Sequence, residues 1–189
     1  MTVEEIFKEL SEHMIKGFMI HEKLANYYDF LSLKGYKRLH EYYYLEESCM
    51  YRKLCRYYIN HYDKLIPESS FDDPEVIPVN WYRYSRHDVD VSSKRNAVKT
   101  GIAKWVDWEK ETKKLYQNMY KELMDLGEVA AAQFIGEYVC AVDYELKKAE
   151  RCQLNRVSTD YDIVSITQDQ HDLHDKYKHK VKEVGEMLC

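Results

Sequence analysis

All three prolines of the chain, Pro67, Pro74 and Pro78, fall in one short segment, and none interrupts the residues on either side. Proline lacks a backbone donor and clashes with the preceding helical turn, so its absence leaves both flanks free to remain helical. Only six glycines occur in 189 residues, whereas a many-stranded sheet would need more of them at its turns. The flanks are therefore read as helices, joined by a segment at about 66–92 that cannot be helical throughout.

Apolar spacing supports this division. From Val3 through Phe7, Leu10 and Met14 to Gly17, His21 and Leu24, the intervals alternate between three and four, which defines one buried face of a helix over 3–32. Thr2 followed by Glu5 predicts a capping box at its start, and Gly35 a break at its end. The same periodicity predicts helices at 36–65, at 93–126 after a cap at Ser92 or Ser93, and at 128–155 beyond Gly127. A last one, at 160–183, would be capped within Ser158–Asp160. A long connection is uncommon in a compact domain, but a crossover running the length of a bundle accounts for it. The expected fold is all-α: one domain over 1–189, an antiparallel four-helix bundle with a long crossover between its second and third helices and an extra C-terminal helix.

Charge narrows the partners. Acidic and basic residues are interspersed and sum to −5, so a salt-sensitive grip on nucleic acid is not expected. The patches "KRLHEYYY" and "SSKRNAVK" are short. Five cysteines without a CxxC spacing predict reduced thiols, with Cys189 the one most open to oxidation. Met1 leads into a polar run, and no apolar stretch reaches the ~18 residues of a membrane span. The expectation is a soluble, cytoplasmic protein without a membrane partner. Trp81, Trp105 and Trp108 are read as crossover and core anchors, and His13, His40 and His61 as interfacial or solvated. His171 and His174 are assigned to a charged surface helix.

The stretch "LHEYYYLEESCMYRKL" places Glu46 and Glu47 where an apolar face should continue. In an antiparallel hairpin, residues equidistant from the turn lie at one height, because each advances ~1.5 Å per residue. Glu22 and Glu47 are nearly equidistant from a turn near 34–35, and Glu109 and Asp143 from one near 126–127. Four carboxylates converging in an apolar core would need cations between them, and oxygen-rich ligands suit hard or borderline cations. Against this, Glu22, Glu46 and Glu109 border their stripes, and level pairs arise easily among 33 acidic residues. One of Glu46 and Glu47 is expected to look inward and the other to face water.

The order of helices resembles the ferritin-like superfamily over most of the chain. "AVKTGIAKWVDWEKETKKLYQNMYKEL" followed by "GEVAAAQFIGEYVCAVDYELKKAE" is similar to the third and fourth helices of ferritins. "LSLKGYKRLHEYYYLEES" is similar to their turn into the second helix, and its "LHE" to the DNA-protecting ferritins. The C-terminal "HDKYKHKVKEV" resembles a divergent bacterial or prophage-borne branch. The resemblance implies a di-metal site with one carboxylate per helix and Glu-x-x-His on one or more of them. Glu22, Glu47, Glu109 and Asp143 would then be metal ligands, with His21 beside Glu22 as a further one. It implies iron or another divalent metal, ferroxidase or iron-handling activity, Tyr28 or Tyr43 as electron donor or hydrogen-bond partner, and a homo-oligomer. The chain departs from the pattern where Met50 and Leu146 stand in place of histidines. A non-catalytic structural or interaction protein on a degenerate form of the fold, associating through its fifth helix, therefore stays open beside the metal enzyme.

Overall fold

A computed structural model describes residues 1–68, 70, 72–76 and 85–188. Trp81 and Cys189 lie outside the described residues. Five α-helices of the described residues carry the fold: α1 Val3–Phe30, α2 Lys34–Tyr62, α3 Val91–Asp125, α4 Val129–Ser158 and α5 Ile163–Leu188, with a short 3-10 turn at Arg86–Asp88. Among the described residues there is no strand, and no helix is long and apolar enough to cross a membrane.

The helix ends follow local chemistry, in places different from that expected. Thr2 and Glu5 form the reciprocal capping box at α1. The break after α1 is made by Ser32 at φ 60°, while Gly35 lies inside the first turn of α2. At α3 the cap is Asp90, whose side chain accepts from the Ser93 N–H at 2.7 Å. The helix thus begins ahead of Ser92 and Ser93. Gly127, at φ 77°, ends α3 as expected. α4 runs on to Ser158, Asp160 and Tyr161 turn the chain in the left-handed region, and Asp162 accepts from the Ser165 N–H at 3.1 Å.

α1 packs on α2 and α3 on α4, each as an antiparallel hairpin, and α1 meets α3 across the bundle. The described residues of the crossover lie along the outside of α1, toward its C-terminal end. Ser70 N–H reaches Glu12, Lys23 holds Asp73 and the Pro74 carbonyl, and Arg86 donates to the carbonyls of Asp29 and Phe30. α5 lies beside α2 and runs parallel to it, because residues a heptad apart on one meet residues a heptad apart on the other. Gly35 faces Gln170, Tyr42 meets Tyr177, and Cys49 and Val184 line one cavity. A Cβ on Gly35 would sit 1.9 Å from the Gln170 carbonyl oxygen, so the close approach of the two helices requires glycine there. Asp169 on α5 fastens this contact, accepting from Tyr36 Oη at 2.8 Å and pairing with the buried Arg156 of α4 at 3.2 Å.

The core is divided. One apolar half gathers residues such as Leu24, Tyr28, Leu39, Trp105 and Ala149, and the other Phe7, Met14, Leu54, Met119 and Val142. Between them each helix passes through a few residues that belong to neither half: Gly17 on α1, Glu46 and Glu47 on α2, Glu109 and Thr112 on α3, Glu145 on α4. A polar layer thus crosses the middle of the bundle.

Candidate cation site

The polar layer opens into a cavity of about 400 Å³ whose walls include Glu46, Glu47, Glu109 and Glu145. These four acids come from three helices. Glu47 is half-buried as a residue, but its Oε2 is shut from solvent and has no hydrogen-bond partner. Its carboxyl lies against the backbone of α1, where a Cβ on Gly17 would come within 2.9 Å of Glu47 Oε1 and 3.0 Å of the Trp108 ring. Burial, reinforced by the carboxyls of Glu109, Glu145 and Glu46, pushes Glu47 well above the usual carboxylate range.

Glu109 is buried and accepts from the indole N–H of Trp105, one turn earlier, at 2.9 Å. Burial raises it to about 7 despite that bond. Glu145 is pushed to about 8, by burial first and the Glu46 carboxyl second, although Lys148 lies 3.5 Å away. Glu46 accepts from Tyr42 Oη. Burial raises it too, and the tyrosine bond and Lys148 offset part of the rise. The expectation that one of Glu46 and Glu47 faces water is not met, because both border the cavity.

Behind Glu109 sit two buried histidines. His21 Nε2 is 3.9 Å from Glu109 Oε1, and His21 Nδ1 meets His40 Nδ1 at 3.0 Å, so one ring donates and the other accepts. Burial holds His21 down at about 3 and His40 well below its ordinary value. Both rings are therefore neutral near pH 7. His13, also neutral, stacks on Trp108 and bonds Thr112 Oγ1 at 2.7 Å. Of the three histidines read as interfacial or solvated, only His61 is exposed.

The five residues singled out from the sequence separate in space. Glu47 and Glu109 face the cavity, and His21 stands behind Glu109. Glu22, one residue past His21, is exposed. Asp143 lies at the α3–α4 rim, held well below the usual range, at about 2, by hydrogen bonds from Lys113 and Lys147. Glu22 and Asp143 do not join the cluster; Glu46 and Glu145 do. Equal distance from a turn fixes height but not direction, and one residue rotates a helix by about 100°. A signal for Glu145 was present, since it continues the buried seam of Tyr138, Val142 and Ala149.

Carboxyl oxygens dominate, which suits a hard cation, and Glu47 Oε2 lacks a partner. α1, however, brings Gly17 rather than an acid to this level, and the cavity wall has Met50 three residues after Glu47. Among the described residues no three His, Cys, Asp or Glu side chains stand in metal-holding geometry. In kind, though not in their present placement, the donors suit one oxygen-seeking ion. They do not supply an acid from every helix with histidines for a paired centre. A wider groove of about 610 Å³ on the outer face of α1 and α3 mixes acids with Lys8 and Lys16 and offers no comparable cluster.

No protein-family model and no curated protein matches the chain. Among solved structures it is similar to a ferritin of Archaeoglobus fulgidus engineered into a closed form, at TM-score 0.74 and 14% identity over 90% of this chain and 93% of that one. It is also similar to a humanized archaeal ferritin, at TM-score 0.66 and 15% identity over 94% of each. Likeness at such identity concerns the course of the backbone, and it agrees with the two antiparallel hairpins and the long crossover. The chain has the ferritin-like fold.

Proposed function

We propose that this protein binds a divalent cation, with iron(II) the first candidate, in the central cavity through Glu47, Glu109 and Glu145, with Glu46 as an adjoining donor. The observation that carries this reading is the meeting of four glutamates from three helices around one partly open cavity in the middle of the bundle. Four such groups cannot all ionise side by side in an apolar interior. A bound cation would supply the compensating positive charge, and the metal would bring Lewis-acid or redox character to the site. The protein's own part is to orient and to shield. Trp105 fixes one oxygen of Glu109, Tyr42 fixes Glu46, and Gly17 makes room for Glu47. The apolar halves above and below exclude water.

The missing first-helix acid and histidines favour a single-ion site in an iron-handling or metal-dependent structural role over a complete ferroxidase. Titration with Fe(II) under anaerobic conditions, followed by air and absorbance, separates these. Saturable uptake that is lost in a Glu47→Gln/Glu109→Gln double variant supports the site, and uptake unchanged in that variant would remove it. Rapid two-electron oxidation at two irons per chain would restore the ferroxidase reading.

A second reading, self-association, is favoured by the apolar residues exposed on both sides of the α4–α5 turn: Leu154, Val157 and Val164. Light scattering tests it. A defined oligomer that dissociates in Leu154→Lys/Val164→Lys agrees with association there, and a monomer across concentrations contradicts it.

A further inference from the structure

The cavity is larger than an ion with a few waters requires, at about 30 Å³ per water. Its roughly 400 Å³ lies within the ~300–1,000 Å³ usual for small-molecule sites. Its lining is of two kinds. Carboxyls occupy the polar layer, and a fifth acid, Glu137, stands exposed on the same wall. The second kind is apolar and aromatic, with Met50, Tyr116, Phe134 and Val142 prominent, and Thr112 and the cationic Lys53 also reach the wall.

Two enclosed oxygens on this wall, Glu47 Oε2 and Tyr116 Oη, have no hydrogen-bond partner. Both can accept, and buried acceptors without donors are costly. The charged groups acting on Glu47 are all acidic. A primary ammonium offers three N–H donors and one positive charge, and aromatic faces stabilise it further. The protein already holds one ammonium in such a setting. Lys148 Nζ lies 3.5 Å from Glu145 Oε1 and 5.7 Å from the centre of the Tyr43 ring.

The geometry points to a ligand class beyond metal ions: an aliphatic diamine in its diammonium form. One end would bind against Glu47 and Tyr116, the methylenes along Met50, Phe134 and Val142, and the other end toward Glu137. This inference rests on the reading of the layer as a cation site, though not on that cation being a metal.

Calorimetric titration of the full chain with 1,4-diaminobutane, 1,4-butanediol and Mn²⁺ tests it. The expected result is saturable diamine binding at least tenfold tighter than that of the uncharged diol, weakened at least tenfold by Glu47→Gln and displaced by Mn²⁺. Circular dichroism verifies that the variant folds, and the diol comparison and Mn²⁺ displacement are read on the unmodified chain. Diamine binding no tighter than the diol, or unchanged in a folded Glu47→Gln variant, overturns the inference. Mn²⁺ binding without diamine binding overturns it and leaves the metal reading standing. Diamine binding without Mn²⁺ binding upholds it against the metal reading, and silence of both removes the two together.

Discussion

At the scale of single residues, the site is decided by which way a few acids point. Glu47→Gln keeps the shape of the side chain and removes its charge. Its Mn²⁺ affinity should fall by about tenfold or more, a step of ~1.4 kcal/mol, whereas Glu22→Gln and Asp143→Asn should leave affinity unchanged in the same titration. Gly17→Ala should also weaken binding, because its Cβ would displace the Glu47 carboxyl from 2.9 Å contact. Glu47 and Glu109 were legible because each interrupts an apolar seam that its neighbours define closely. Asp143 is the acid level with Glu109 about the turn, but the α4 seam runs through Tyr138, Val142 and Ala149, which turns Asp143 to the rim and Glu145 inward. The helix offers apolar residues on both sides of its true seam, Val139 as well as Val142, so hydrophobicity alone does not set its rotation. Glu22 sits beside His21, and an acid next to a seam histidine looks equivalent to it until the packing decides.

Among the elements, α5 departs furthest from what its sequence suggested. Periodicity revealed a helix, but its position beside α2 follows from features that carry no hydrophobic signal. Gly35 admits the Gln170 carbonyl, and Asp169 links Tyr36 to Arg156. Gly35 was expected to turn the chain; its use is as a contact between helices. Asp169→Ala would leave the buried Arg156 without its partner; because Asp169 is itself partly exposed, the cost falls below that of a fully buried pair, to about 2–3 kcal/mol. Urea unfolding should show a loss of that order. A change below 1 kcal/mol would mean that α5 is held chiefly by the Tyr42–Tyr177 region. The hairpins, by contrast, were legible almost to the residue at Thr2 and Gly127, where capping chemistry is local. The crossover was legible as a connection, because proline marks it, but not in its path. Ion pairs such as Lys23–Asp73 join residues far apart in sequence, and no local rule anticipates them.

For the molecule as a whole, the buried acids and histidines make stability depend on pH from both sides. Glu109 and Glu145 bind protons more tightly when folded, up to about 7 and about 8. Their contribution is fully present below the unfolded carboxyl value of ~4.3 and is lost as pH rises through those folded values. His13 and His21, lowered to about 3, behave oppositely. Their contribution is present above ~6.5 and is lost as pH falls toward the folded value. The two trends oppose each other between about pH 4.5 and 6.5, so the metal-free protein should be most stable there. Above pH 6.5 only the acids act, and Tm should fall toward pH 8.5; Glu47→Gln should flatten that decline, and saturating Mn²⁺ should reverse it. The most direct test of the central claim is an anomalous-scattering map from crystals soaked in Mn²⁺. A single peak in the cavity between Glu47, Glu109 and Glu145 is the predicted result. A cavity without anomalous density, or a peak at Glu22 or Asp143 instead, would contradict the account.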